Sequence, residues 1–268
     1  MWTPAPCYGH ESTTVPMAAD GSPVEDLICL TVDVEWAHPE VLADLTRAFD
    51  ERGLRATLFC THPNIPAGNH ERALHPNFLK HGDTMRLLSR QHTDSAAWSE
   101  SQVYDFVVRH TKSFCPEAVG VRSHSLFYDN HLAPTYRSHE LRYDSSVFFP
   151  FMPDITPVRT RCGMLELPIF YMDHVDVVDR MTDFRLTSLR LDRPGLKIFD
   201  FHPNVVFINA RSNDDYLASK PYYHDVEKLT EMRRPGRGVR TVFLELLDYV
   251  AGRQKQALPL REVCEMIA

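Results

Sequence analysis

Asp33 and Glu35 stand two residues apart at the close of an apolar run, Leu27-Ile28-Cys29-Leu30-Thr31-Val32. If that run is a strand, side chains alternate between its faces and both carboxylates point into one space. Ligands of parallel α/β folds gather at the carboxyl ends of strands, so acids there carry more meaning than acids elsewhere. One such carboxylate can bind a cation while its neighbour accepts a proton. Acids at a strand end also serve as helix caps or solvated groups, so the pair alone does not decide.

Fourteen histidines supply further candidates, and four of them precede proline: His38, His62, His75 and His202. The residue before proline is held extended, which fixes the angle at which its side chain leaves the backbone. His75 and His202 follow apolar, strand-like runs; His38 and His62 read as loop residues. Arg122, directly after Val119-Gly120-Val121, can orient a carboxylate through a bidentate hydrogen bond or pair with a surface acid. His124 shares its face. Asp173-His174 is another acidic strand end, for which a surface loop is the expected setting.

The elements able to position these residues alternate along the chain. Residues 27–32, 55–60, 119–121, 164–170 and 196–201 read as strands, and Ala73-Leu74-His75 as the end of another. Pro39 opens a helix at its favoured first position, with Val41, Leu42, Leu45 and Phe49 as its apolar stripe and Gly53 at its end. Ser99 and Gln102 form a capping box for a second helix, Asp129 begins a third, and residues 239–250 form another. Residues 211–238 are polar, with a basic cluster at Arg233, Arg234 and Arg237, and read as a solvated loop face. Residues 1–24, rich in Pro, Ser, Thr and Gly, read as an arm ahead of one domain over 25–268. Alternating β and α argues for a mainly parallel sheet, closed or open.

At 43% hydrophobic and 24% charged residues, the 268-residue chain is ordinary for a globular protein. Its net charge of −7 and the lack of a basic tract argue against nucleic acid as a partner. No run approaches the ~20 apolar residues of a membrane span. Residues 1–21 lack the basic and apolar regions of a signal peptide, so a cytoplasmic location is expected. The six cysteines are scattered without a C-x-x-C and read as reduced thiols. Dinucleotide, P-loop, nucleophile-elbow and kinase signatures are absent. His70-Glu71 with His75 misses H-E-x-x-H by one residue, which breaks the i, i+4 geometry of that zinc site. Nothing in the sequence fixes an oligomeric state.

Taken in order, Thr31-Val32-Asp33-Val34-Glu35-Trp36, Ala56-Thr57-Leu58-Phe59, Leu74-His75-Pro76-Asn77-Phe78, Gly120-Val121-Arg122-Ser123-His124, Tyr143-Asp144-Ser145-Ser146, Glu166-Leu167-Pro168 and Phe199-Asp200-Phe201-His202-Pro203 resemble the polysaccharide deacetylase family. That family has the NodB homology fold and is also called carbohydrate esterase family four. The branch most similar is the bacterial surface-polysaccharide one, the WbmS-like proteins, and the resemblance spans residues 27–204. It implies an α/β fold, a distorted (β/α) barrel in one domain, with a metal site at the carboxyl ends of its strands. By resemblance Asp33 is the catalytic base, Arg122 the arginine that orients it and His202 the general acid, with Asp173 matched to the acid that tunes that histidine. Glu35 stands where a metal-binding aspartate usually sits, and His75 matches a metal-binding histidine.

Two departures from the family pattern stand out. The usual His-x-x-x-His partner of His75 falls on Leu79, which leaves His81 or His124 to supply the third ligand; His124 is the expected one. The metal carboxylate is also one methylene longer than usual. The implied activity is hydrolysis of an N-acetyl group on a sugar, with one divalent ion, zinc, held by Glu35, His75 and His124. Trp36, Phe127 and Tyr171 are candidates to stack on the sugar ring. A cytoplasmic enzyme would meet a nucleotide-linked or lipid-linked precursor in surface-polysaccharide biosynthesis. The rival readings are a hydrolase of another amide or acyl group, and an inactive carbohydrate-binding relative.

Overall fold

In the computed structural model, residues 27–253 and 257–267 are described; the expected arm over 1–24 lies outside them. The chain runs β1 (Ile28–Glu35), α1 (Pro39–Asp50), β2 (Thr57–Cys60), β3 (Glu71–Leu74), α2 (Asp83–Gln91), α3 (Glu100–Lys112), β4 (Gly120–Val121) and α4 (Leu132–Ser138). It continues with β5 (Tyr143–Asp144), β6 (Val158–Arg159), β7 (Leu165–Glu166), β8 (Tyr171–Met172), α5 (Asp173–Asp179), β9 (Lys197–Phe201) and α6 (Pro203–Phe207). The last helices are α7 (Asn213–Ser219), α8 (Val226–Glu231), α9 (Val239–Gly252) and α10 (Leu260–Ile267). The strands form one nine-stranded sheet in the order β6-β7-β5-β4-β3-β2-β1-β9-β8, parallel throughout except for β6 against β7.

This sheet must curl. In that order β4 and β9 are four strand spacings apart, about 19 Å if the sheet were flat. Yet Arg122, immediately after β4, donates to Asp200 on β9. The result is the distorted (β/α) barrel expected from the resemblance. Period-two alternation gives the barrel interior a vertical gradient. Cys29, Phe59, Ala73, Tyr143 and Ile198 pack its amino-terminal half together with Leu260, Val263 and Cys264 of α10. Further along the same faces come Thr31 and Asp33, His75, Arg122, Ser145, Asp200 and His202. Gly120 has room for no side chain, because a Cβ there would overlap the Tyr143 ring.

Helix α10 closes the apolar end of the barrel. Its amide groups at Leu260 and Arg261 donate to Thr57 Oγ1 and Glu71 Oε2, each at 2.9 Å. Glu71 thus satisfies a helix amino terminus with a carboxylate, and Tyr143 also donates to it at 2.8 Å. His70 Nδ1 accepts the Ala56 amide. The near-miss His70-Glu71 pair is therefore structural.

Sequence expectations for β1, α1, β2, β4, β9 and α9 match the observed elements, and Ser99 with Gln102 forms the capping box that opens α3. Three expectations need correction. Residues 164–170 do not form one strand: Pro168 carries no N–H for a ladder, and β7 and β8 lie on either side of it. Asp129 lies in a turn, its carboxylate accepting the His131 amide, and α4 begins at Leu132. Residues 211–238 are not a loop face but contain α7 and α8, capped by Ser212 and Asp225.

Candidate metal centre

Every group at the carboxyl end of the barrel is held by a neighbour. Arg122 is fully buried. Its Nε and Nη2 donate to the Ser145 carbonyl and hydroxyl at 2.9 Å each. Its Nη1 donates to Thr31 Oγ1 and Asp33 Oδ1 at 2.9 Å, and to Asp200. The guanidinium also lies over the Phe59 ring, 4.1 Å from its centroid. Arg122 is therefore no surface ion pair. Burial would raise the Asp33 carboxyl, but the charges of His75, Arg122 and His202 outweigh it and hold Asp33 below the usual carboxylate range. Asp200 goes the other way: burial pushes it up to about 7 against the pull of Arg122, with Asp33 adding to the rise.

His75 Nδ1 lies 2.8 Å from the Arg122 carbonyl oxygen, which accepts only from a protonated nitrogen and so, in the neutral imidazole, puts the lone pair on Nε2. That Nε2 is buried and has no hydrogen-bond partner. It faces Glu35 Oε1 at 3.5 Å and Asp33 Oδ2 at 3.6 Å. His124 Nδ1 lies 3.1 Å from the same Glu35 oxygen. One ligand atom each from Glu35, His75 and His124 falls within 4.8 Å of the others. A buried lone pair facing carboxylates is repulsive until a cation or proton intervenes, so these donors fit a divalent metal. Leu79 and His81 are exposed, and of the two alternatives His124 is the histidine grouped with Glu35 and His75.

Glu35 does not reach this place by alternation alone. The β1–β2 register shifts between Asp33 and Glu35, and Glu35 has φ +52°, a conformation that costs a non-glycine residue about 1 kcal/mol or more. Thr61 Oγ1 donates to its carbonyl and pins the kink. Burial opposes ionisation of Glu35, but its bond to His124 and the nearby His75 imidazole keep its carboxyl well below the usual range.

On the opposite side, His202 Nδ1 pairs with Asp173 Oδ1 at 2.7 Å, and its backbone amide donates to Asp173 Oδ2 at 2.9 Å. Its Nε2 points toward Asp33 Oδ2, 3.9 Å away. Burial disfavours the imidazolium, but Asp173 more than compensates and pushes the His202 pKa up to about 10. Asp173 is fully buried at the first position of α5, which corrects the expected surface loop.

The aromatic expectations fare unevenly. Tyr171 is fully buried and its hydroxyl donates to Asp176, so it cannot stack on a ligand. Phe127 packs on Phe78 and Tyr104. Trp36 stands edge-on to His124 with centroids 5.3 Å apart. The cleft over Asp33, Glu35, His124 and His202 holds about 210 Å³ and is also lined by His174, Tyr216 and Lys220. Sequence reading missed Asp200, Tyr216 and Lys220 as site residues. Asp200 was legible as the residue two before His202 on the same strand face.

A family profile described as WbmS-like polysaccharide deacetylase matches residues 30–220. The chain belongs to the WbmS-like polysaccharide deacetylases. It is by that membership a carbohydrate deacetylase, a hydrolase of amide bonds in a metal-dependent family. A crystal structure from Bordetella bronchiseptica, assigned as a polysaccharide deacetylase involved in O-antigen biosynthesis (WbmS), is similar at 26% identity and TM-score 0.70. The match covers 83% of this chain and 90% of that one. A structure assigned as a Mycobacterium smegmatis polysaccharide deacetylase shares the fold at 14% identity and TM-score 0.51, over 96% and 94% of the two chains. No curated protein sequence matches the chain. Among the described residues no helix is long and apolar enough to cross a membrane.

Replacing Arg122 with glutamine leaves Asp33 and Asp200 buried without their cation, a loss of about 3–5 kcal/mol at pH 7. The depressed Asp33 pKa contributes stability above the ordinary Asp range, and that contribution is lost as pH falls. The deficit of Arg122→Gln measured by urea unfolding should therefore be smaller at pH 4 than at pH 7. A deficit independent of pH would contradict the electrostatic role.

Proposed function

We propose that the protein removes an N-acetyl group from a sugar in a surface-polysaccharide precursor, in the cytoplasm, with zinc as its ion. The observation that carries this reading is the unpartnered, buried Nε2 of His75 facing Glu35 and Asp33, with His202 across the cleft. Glu35, His75 and His124 would hold the ion, whose Lewis acidity acts on the acetamide carbonyl and on water. Asp33, fixed through Oδ1 by Arg122, presents Oδ2 as the base that takes the water's proton. His202, kept protonated by Asp173, gives a proton to the departing amine. Acetate and a free amino sugar result. The base is held low chiefly by His75 and Arg122 and the acid high chiefly by Asp173, the separation that lets one site run both proton transfers near neutral pH.

Support for the surface-polysaccharide setting comes from the similarity to the Bordetella protein. The direct test is metal content by plasma mass spectrometry together with acetate release from N-acetylated sugars. Wild type should carry about one zinc per chain and release acetate, and His75→Ala should lose both. A wild type that neither contains nor takes up zinc or cobalt would sink the mechanism, and release of another acid would redirect it to a different acyl group.

Asp173 gives a second test. Its carboxylate raises the His202 pKa, so Asp173→Asn lowers it and the protonated acid is lost at a lower pH. The alkaline limb of the pH–rate profile should move toward neutrality, with kcat down about 100-fold. An unmoved limb would exclude His202 as the acid.

A further inference from the structure

One wall of the cleft comes from the segment that follows the core of the barrel. Ser212 caps α7, and the buried carboxylate of Asp215 accepts from the Arg211 amide and from Arg234, so this segment is fixed. On it Tyr216 and Lys220, four residues apart, share a face. The Lys220 ammonium lies over the Tyr216 ring, 4.7 Å from the centroid. Tyr216 packs on His174 with centroids 4.7 Å apart, and His174 on His202 at 5.4 Å. The row His202, His174, Tyr216, Lys220 thus leads from the catalytic acid to an exposed ammonium at the cleft mouth.

Among the described residues Lys220 has no carboxylate partner. An aromatic face orients a cation without neutralising it. An acetamido sugar without charge offers this ammonium only hydroxyl and carbonyl oxygens, whereas an anion beyond the acetylated ring would also neutralise it. We propose that the substrate carries an anionic group, a phosphate or a carboxylate, next to its N-acetylated sugar, and that Lys220 is the specificity residue that binds it. The inference rests on the deacetylase reading and narrows its substrate class.

The test is calorimetric binding to the full-length zinc-loaded protein of three probes: N-acetylglucosamine 1-phosphate, N-acetylglucosaminuronic acid and the neutral methyl glycoside of N-acetylglucosamine. At least one anionic probe should bind wild type about 10-fold more tightly than the neutral one, and which one does so identifies the group. That advantage should disappear in Lys220→Gln, return in Lys220→Arg and shrink with added salt, while the neutral probe binds all three proteins alike. Equal affinity for charged and neutral probes, a preference that survives Lys220→Gln, or no binding of any probe would overturn the proposal. Acetate release from the neutral glycoside is measured in parallel: its absence counts against the deacetylase reading, while the charge preference is judged on binding alone.

Discussion

A fully buried guanidinium, Arg122, held between the carboxylates of Asp33 and Asp200, is the contact on which the upper half of the barrel depends. Taking charges out of water costs several kcal/mol for each ion, and here each guanidinium nitrogen is met, by Thr31, Ser145 or the two carboxylates. The contact spans the barrel from β4 to β9, so it can exist only in a curled sheet. It also decides protonation: one cation serves two acids, and Asp33 is held low while Asp200 rises to about 7. The same residue's carbonyl fixes the tautomer of His75. Asp33 and the candidate metal ligand His75 are thus oriented by one side chain and its own backbone.

Around that centre the protein places strain and charge where ordinary packing would avoid them. Glu35 adopts a left-handed backbone, and Ser125 and Leu126 do the same beside His124. Local strain of this kind persists only where the surroundings over-determine it. Here the parallel sheet, the Thr61 bond and the packing beneath supply that constraint. The carboxyl end of the barrel carries the charge, while α10 seals the other end of the interior with Leu260 and Val263.

Most of the fold was legible because it follows from local rules: apolar runs for the buried strands, Pro39 and the Ser99 capping box for helix starts. Asp33, His75, Arg122 and His202 were legible as strand-end residues because period-two alternation places them on one face. Asp173 was misread, since a polar pair after a strand looks the same whether it meets solvent or an imidazole. Residues 211–238 were misread because their helices are short and polar, and their burial depends on Asp215, Asn209 and the barrel they pack against. The convergence of His124 with His75 and Glu35 joins residues far apart in the chain, and spacing alone could only leave it as one of two alternatives.

We propose that Glu35, His75 and His124 form the metal site, and that Asp33, Asp200 and His202, whose ligand atoms also cluster within 4.8 Å, do not. Anomalous X-ray diffraction from zinc-loaded crystals, recorded on both sides of the zinc edge, tests it directly. One anomalous peak is expected, bonded to Glu35, His75 and His124 at about 2.0–2.2 Å. A peak bonded instead to Asp200 and His202, or no peak in protein that deacetylates sugars, would contradict it.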